Sequence, residues 1–188
     1  MLKKMKHVML QAIQVLNNGG IIIYPTETVL GIGCLSLNAS AVNKIYQIKK
    51  RDTSKAMLVL VDSLAMVKRY KKTITKTEKS LLLSEKPTTV LFDNVLGFPN
   101  ELTGKNNSLA FRITKNDQCL ELIHAINQPL VSTSANLSGE PTVNNPDELP
   151  SELTHKVDFI IKKHTNDNRQ KPSRIVKVVN DKIIYIRK

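Results

Sequence analysis

Hydrophobic residues at positions 5, 8, 9, 12, 13, 15 and 16 recur at the spacing of one helix face, and Asn17-Asn18-Gly19-Gly20 supplies a stop. Ile21 to Tyr24 then reads as a buried strand ended by Pro25. A second helical pattern covers Ala39 to Lys49, with Val42, Ile45, Tyr46 and Ile48 apolar and Asn38 or Ser40 as N-cap. Met57 to Val61 is a second buried strand, helical periodicity returns near 63–70 and 77–83, and Thr89 to Phe92 is strand-like again. Leu109 to Ile113 alternates as a half-buried strand, and Leu120 to Ile126 forms a helix that Asn116 can cap. Val131 leads into a polar turn over 132–139. Phe159–Ile161, Ile175–Val179 and Ile183–Ile186 close the chain as strands, the last two joined by a hairpin turn at Asn180-Asp181. Interleaving of this kind predicts an α/β or α+β fold around one mixed sheet, in a single domain over residues 1–188.

Composition narrows the class. The chain has 188 residues, 41% of them hydrophobic, enough to bury a full core and too apolar for a disordered polycation. The longest apolar runs fall far short of the roughly 20 residues a spanning helix needs. The basic start lacks a cleavage site, so a soluble protein of the reducing cytoplasm is expected. The 28 Lys+Arg against 16 Asp+Glu leave a net charge of +12, with 12 basic and 4 acidic residues between Lys44 and Lys86. That sign attracts nucleotides, nucleic acid or other polyanions, although excess surface lysine for solubility produces the same number.

Four segments carry candidate chemistry. Tyr24-Pro-Thr-Glu-Thr-Val-Leu-Gly-Ile-Gly-Cys34 follows a strand directly, and its hydroxyls and Gly-freed amides suit a small polar ligand; an ordinary strand-to-helix turn is the plainer alternative. Lys49-Lys-Arg51-Asp-Thr-Ser-Lys55 can aim cations at a triphosphate, or simply complement a helix C-terminus and form a solvated face. In Ser108-Leu-Ala-Phe-Arg112-Ile-Thr114 the alternation puts Arg112 on the face opposite Leu109, Phe111 and Ile113. A mid-strand Arg is either an exposed edge residue or a buried one that needs an anion. Ser132-Thr-Ser134-Ala-Asn136-Leu-Ser-Gly139 runs from a strand into hydroxyls and an amide, a set that binds phosphate or ribose oxygens, or an Asx-type turn.

Other chemistries find little support. His7, His124, His155 and His164 lack metal spacing with each other or with the cysteines, and no Gly-x-Ser-x-Gly elbow is present. Cys34 and Cys119 read as small buried residues. With four Phe, four Tyr and no Trp, aromatic base-stacking motifs are missing.

The four segments, in this order and spacing, resemble the YrdC-like family of threonylcarbamoyl-AMP synthases (TsaC), and the resemblance runs from the first helix to Pro172-Ser-Arg-Ile-Val176, in the short single-domain form. It implies a twisted mixed sheet surrounded by helices, with a concave, positively charged cavity. The implied reaction joins L-threonine, bicarbonate or CO2, and ATP into threonylcarbamoyl-AMP and pyrophosphate. Partner transferases then pass the group to tRNA beside the anticodon; direct contact with tRNA or double-stranded RNA stays open.

By matching motif positions, the resemblance implies that Arg51 and Lys55 hold ATP phosphates and carry catalysis. Thr28, Arg112, Ser132 and Ser173 meet L-threonine, while Thr89, Ser134, Asn136 and Thr142 lie with ATP. Mg2+ accompanies the nucleotide, with no protein side chain assigned to it; Glu27 reads as an exposed turn residue, with a part in holding the ion as the alternative. Two places depart from the family pattern: Ser84-Glu-Lys-Pro87 replaces a Trp-Pro-Gly-Pro loop, and Leu60 stands where long-form relatives have His. The rival functions are an RNA-binding module without catalysis and a carbamoyl-AMP-forming domain.

Overall fold

The computed structural model describes residues 2–53, 57–162 and 171–188. The nine strands among them form one mixed sheet, and the order of the strands decides where the site falls. The strands are β1 (Ile22–Tyr24), β2 (Gly31–Gly33), β3 (Leu58–Val61), β4 (Thr88–Phe92), β5 (Leu109–Ile113), β6 (Leu130–Ser134), β7 (Phe159–Ile160), β8 (Arg174–Val179) and β9 (Lys182–Arg187). They lie in the order β7-β1-β2-β6-β3-β5-β4-β8-β9. β1–β7, β3–β5 and β4–β8 pair parallel, and the remaining neighbours pair antiparallel. The helices are α1 (Leu2–Asn17), α2 (Ala39–Lys49), α3 (Leu64–Tyr70), α4 (Lys76–Leu82), α5 (Asp117–Ile126) and α6 (Ser151–Thr154).

Local chemistry explains the boundaries. Asn38 caps α2 by accepting from the Ala41 amide at 3.0 Å, and Asn116 caps α5 through the amides of Gln118 and Cys119. Thr75 and Glu78 close a reciprocal capping box at the start of α4. Asn180 and Asp181 take φ of 50° and 57°, the left-handed pair that a two-residue turn needs to match strand twist, and join β8 to β9 as expected. No helix among the described residues is long and apolar enough to cross a membrane.

Three features depart from the sequence pattern. β2 lies inside the segment read as a turn, because Gly31-Ile32-Gly33 carries too few side chains to show a strand pattern. β6 continues through Ser132 and Ser134, where the sequence suggests a polar turn; pairing to Leu58 on one side and Gly31 on the other holds the hydroxyls in a strand. The short α6 has no counterpart in the periodicity either.

Register divides the sheet into two faces. Val59, Val90, Phe111 and Val131 align across β3, β4, β5 and β6, and all are fully buried. Phe111 meets Phe92 and Phe98 edge-on, with ring centroids 5.8 Å apart in each case. The alternate residues Leu58, Leu91, Ala110 and Ser132 point to the other face. Beside it, β2 and β6 come unusually close: a Cβ on Gly33 would lie 1.9 Å from the Val131 carbonyl oxygen. Gly33→Ala is therefore expected to destabilise the protein by about 3 kcal/mol or more, since a backbone carbonyl cannot rotate aside; urea unfolding measures it.

Candidate functional site

A cavity of about 310 Å3 opens on the face that carries Leu58, Leu91 and Ala110. Its polar lining comes from widely separated parts of the chain: Thr26 and Thr28 after β1, Arg51 after α2, Arg112 on β5, Ser132 to Ser134 on β6, Ser173 just before β8, and Arg187 on β9. Thr142 lines it as well. Among the described residues that line it, three are arginines and none is a carboxylate.

The Thr26–Thr28 turn is wired internally. Thr26 Oγ1 donates to the Val29 carbonyl at 2.8 Å and accepts from the Thr28 amide at 3.0 Å. Since the Thr26 hydrogen is committed, the 2.9 Å contact between the two hydroxyls makes Thr28 its donor. Thr28 Oγ1 also accepts from Arg112 Nη1 at 3.1 Å. One lone pair remains, so Thr28 can serve a ligand only as an acceptor.

Arg112 is an interior residue. β5 lies between β3 and β4, and Arg112 is 3% exposed, so the edge-residue alternative does not hold. The anion that a buried guanidinium requires is Glu27, whose Oε1 lies 3.1 Å from Arg112 Nε. The contact is an ion pair without hydrogen-bond angles, because Nε has no hydrogen-bond partner. Glu27 Oε2 accepts from Thr114 Oγ1 at 2.8 Å. The expectation of an exposed turn residue fails for Glu27. Its side chain is only 18% exposed, both oxygens are engaged by the protein, and it does not line the cavity.

The basic segment splits into separate roles. Lys50 is at the surface and pairs with Glu152 at 2.8 Å, while Arg51 turns into the cavity. Lys55 lies outside the described residues. Lys49, read as part of a cationic face, is 1% exposed and donates to the carbonyls of Ser134 and Asn136 and, at 3.4 Å, to Asn136 Oδ1. Burial, with Arg51 nearby, pulls its ammonium down to about 8, which leaves it charged at neutral pH. Asn136 Nδ2 donates to the carbonyls of Leu137 and Glu140, so this side chain ties the turn after β6 together.

Asn136 and Thr89 are not among the cavity-lining residues, whereas Thr28, Arg51, Arg112, Ser132, Ser134, Thr142 and Ser173 are. Thr89 is fully buried on β4, on the same face as Leu91, its hydroxyl 2.8 Å from that of Ser173. The departing loop is held by its own hydroxyls: Ser84 and Thr88 both donate to the Lys86 carbonyl, and Arg174 Nε donates to Thr88 at 2.7 Å. Leu60 is buried and stays out of the cavity. Burial pushes the thiols of Cys34 and Cys119 up to about 12, as suits small core residues.

Arg187 escapes the sequence reading. Its Nε and Nη2 donate to the Ser173 carbonyl at 3.0 and 2.8 Å, which fixes the guanidinium at the cavity wall. Burial, then Arg112 and Arg51, lowers its pKa, so it feels both of the other cavity cations. In the sequence it is one more basic residue beside the last residue of a basic chain. Only the pairing of Arg187 with Ile175, two residues past Ser173, could have revealed it.

A family model named Sua5/YciO/YrdC, described as Telomere recombination, matches residues 14–188. The chain belongs to the Sua5/YciO/YrdC family. The protein named threonylcarbamoyl-AMP synthase from Pseudoalteromonas translucida is 32% identical over 176 residues, 92% of this chain and 94% of that one. Two solved Sua5/YciO/YrdC structures share the fold: Escherichia coli YciO, with a TM-score of 0.84 and 24% identity over 97% of this chain and 89% of its own, and P. abyssi Sua5 complexed with L-threonine, with a TM-score of 0.84 and 22% identity. The latter match covers 95% of this chain and about half of the longer Sua5 protein, 53%.

In this member of the Sua5/YciO/YrdC family, the lining segment of β6 depends on Lys49. Lys49→Met removes the donors for three acceptors and should lower stability by about 2–4 kcal/mol. Thermal and urea unfolding of the variant test this.

Proposed function

We propose that this chain is a threonylcarbamoyl-AMP synthase, condensing L-threonine, CO2 or bicarbonate, and ATP. One observation carries the reading. Among the described residues, hydroxyls and the guanidiniums of Arg51, Arg112 and Arg187 converge from sequence-distant segments on one cavity whose lining holds no carboxylate, a set suited to an anionic ligand. The relative's name, threonylcarbamoyl-AMP synthase, identifies a reaction whose substrates have this character.

The chemistry needs little from the protein beyond placement. The amine of threonine and CO2 give a carbamate; one of its oxygens attacks the α-phosphorus of ATP, a phosphorus–oxygen bond forms, and pyrophosphate leaves with the bond to the β-phosphate. Thr28, Arg112, Ser132 and Ser173 form the amino-acid end. There Arg112 meets the carboxylate, and the remaining lone pair of Thr28 accepts from a donor on the substrate. Arg51, Arg187, Ser134 and Thr142 form the nucleotide end, with the cations on phosphate oxygens, and the family resemblance adds Lys55 to that role. Thr89 supports the amino-acid end through the Ser173 hydroxyl, and Asn136 ties the turn after β6 to Lys49. No covalent enzyme intermediate is required, so the rate comes from alignment and charge neutralisation. Mg2+ would accompany ATP and offset charge on its phosphates; among the described residues the cavity lining offers no carboxylate to hold it.

The product is an activated acyl adenylate, and the partners that consume it are transferases acting on tRNA in the cytoplasm. The test mixes purified protein with L-threonine, bicarbonate, Mg2+ and α-labelled ATP. Threonine-dependent formation of threonylcarbamoyl-AMP and pyrophosphate is expected. RNA binding without turnover would establish the RNA-module reading instead, and turnover with carbamoyl phosphate in place of threonine the carbamoyl-AMP one. Arg51→Ala and Lys55→Ala should each weaken ATP binding by about 1–3 kcal/mol, the scale of a charge-assisted hydrogen bond. Calorimetric titration with ATP reads this directly, and unchanged affinity removes the residue from the phosphate site.

A further inference from the structure

We propose that Glu27 is a positioning residue: it fixes the guanidinium of Arg112 from the side away from the cavity and so sets the grip on the amino-acid substrate. The substrate part of this proposal rests on the synthase reading; the coupling of Glu27 to Arg112 does not.

The geometry is a relay of four side chains. Thr114 Oγ1 accepts from the Asn116 amide at 3.2 Å and donates to Glu27 Oε2 at 2.8 Å, so the hydroxyl that orients the carboxylate is itself held by backbone. Glu27 Oε1 then lies 3.1 Å from Arg112 Nε, and Arg112 Nη1 donates to Thr28 Oγ1 at 3.1 Å. Arg112 and Thr28 line the cavity, whereas Glu27 and Thr114 do not. The carboxylate thus acts on the binding surface through Arg112.

This arrangement has two physical consequences. A guanidinium on a long side chain has many rotamers, and a mid-strand Arg without a charge partner would lose both its orientation and part of its tolerance for burial. With Glu27 in place, the Nε edge faces the carboxylate and Nη1 faces Thr28. The guanidinium is therefore offered to a ligand in one orientation. Because the Nε contact is coulombic rather than a well-formed hydrogen bond, the charge of Glu27 matters more than its shape. Glu27→Gln, which keeps an acceptor for Thr114 and removes the charge, isolates that contribution.

Two measurements on the full chain test the proposal. The first needs no substrate: the Arg112 Nε–H signal in a 15N NMR spectrum, assigned by its loss in Arg112→Lys. It should be slowly exchanging in the wild type and lost to fast exchange, or shifted, in Glu27→Gln. An unchanged signal overturns the proposal. The second is steady-state kinetics. Glu27→Gln should raise the KM for L-threonine about tenfold, the worth of roughly one charge-assisted contact, and leave the KM for ATP within about twofold. Glu27→Asp should recover part of the loss. In the Arg112→Ala background, Glu27→Gln should add little, because the two act as one unit. Equal rises in both KM values, or losses that add fully, would reduce Glu27 to a general structural residue and overturn the proposal. If the wild type forms no threonylcarbamoyl-AMP, the synthase reading fails on that result alone, and the NMR signal still decides whether Glu27 governs Arg112.

Discussion

The site is organised by the near-contact of two backbones. Gly33 on β2 lies against Val131 on β6 with no room for a single carbon between them, and Tyr24 seals the approach by packing its ring beside both Gly31 and Gly33 while donating to the Val131 carbonyl at 3.0 Å. A phenol buried there would be costly without that acceptor, so ring and carbonyl fix each other. The result is a register in which Gly31 opposes Ser134 and Ile32 opposes Thr133. Hydroxyls that would otherwise belong to a loose polar turn are thereby held on a strand, next to the Thr26–Thr28 turn. A glycine-poor β2 would separate the strands and with them the Thr26–Thr28 turn from the hydroxyls of β6.

A second tie acts from below. Lys49 ends α2, yet its ammonium is spent on the carbonyls at the end of β6 and just past it rather than on solvent. The same helix end turns Arg51 into the cavity, and the Ser138 amide donates back to the Lys49 carbonyl at 3.0 Å. One helix terminus therefore places a cavity cation and secures the neighbouring hydroxyl strand. Groups outside the cavity lining, such as Lys49, Asn136, Tyr24 and Glu27, are what keep the lining groups in position, which is the usual requirement of a site that works by alignment.

How much of this is legible in the residues depends on where the information resides. The alternation over Leu109–Ile113 correctly separates Arg112 from the apolar face, because a strand's period is local. That Arg112 is buried is not legible, since it follows from β5 being an interior strand, a property of sheet order. Lys49 looks like a helix-end cation because i to i+4 neighbours cannot show a carbonyl supplied from 85 residues away. Glu27 and Arg187 escape for the same reason: each is defined by a partner on another segment, at Arg112 and Ser173. β2 is hidden differently, by having glycine where a pattern would be read. The ordered motifs fall on segments that line the cavity, and the sequence alone does not show that Thr89 and Asn136 stand outside that lining.

The net charge also takes on a more exact meaning. Of 28 Lys+Arg, only Arg51, Arg112 and Arg187 line the cavity among the described residues, so most of the described basic residues behind the net +12 lie away from it. The two sets act at different ranges. Surface cations speed the arrival of a polyanion and are screened within about 8–10 Å by salt. The cavity arginines discriminate by geometry, and different partners hold them: Glu27 and Thr28 hold Arg112, and the Ser173 carbonyl holds Arg187. Those partners differ in charge. The Glu27 carboxylate offsets part of the field of Arg112, whereas a neutral carbonyl leaves that of Arg187 largely intact. Arg112 and Arg187 therefore present fields of different strength to the same cavity.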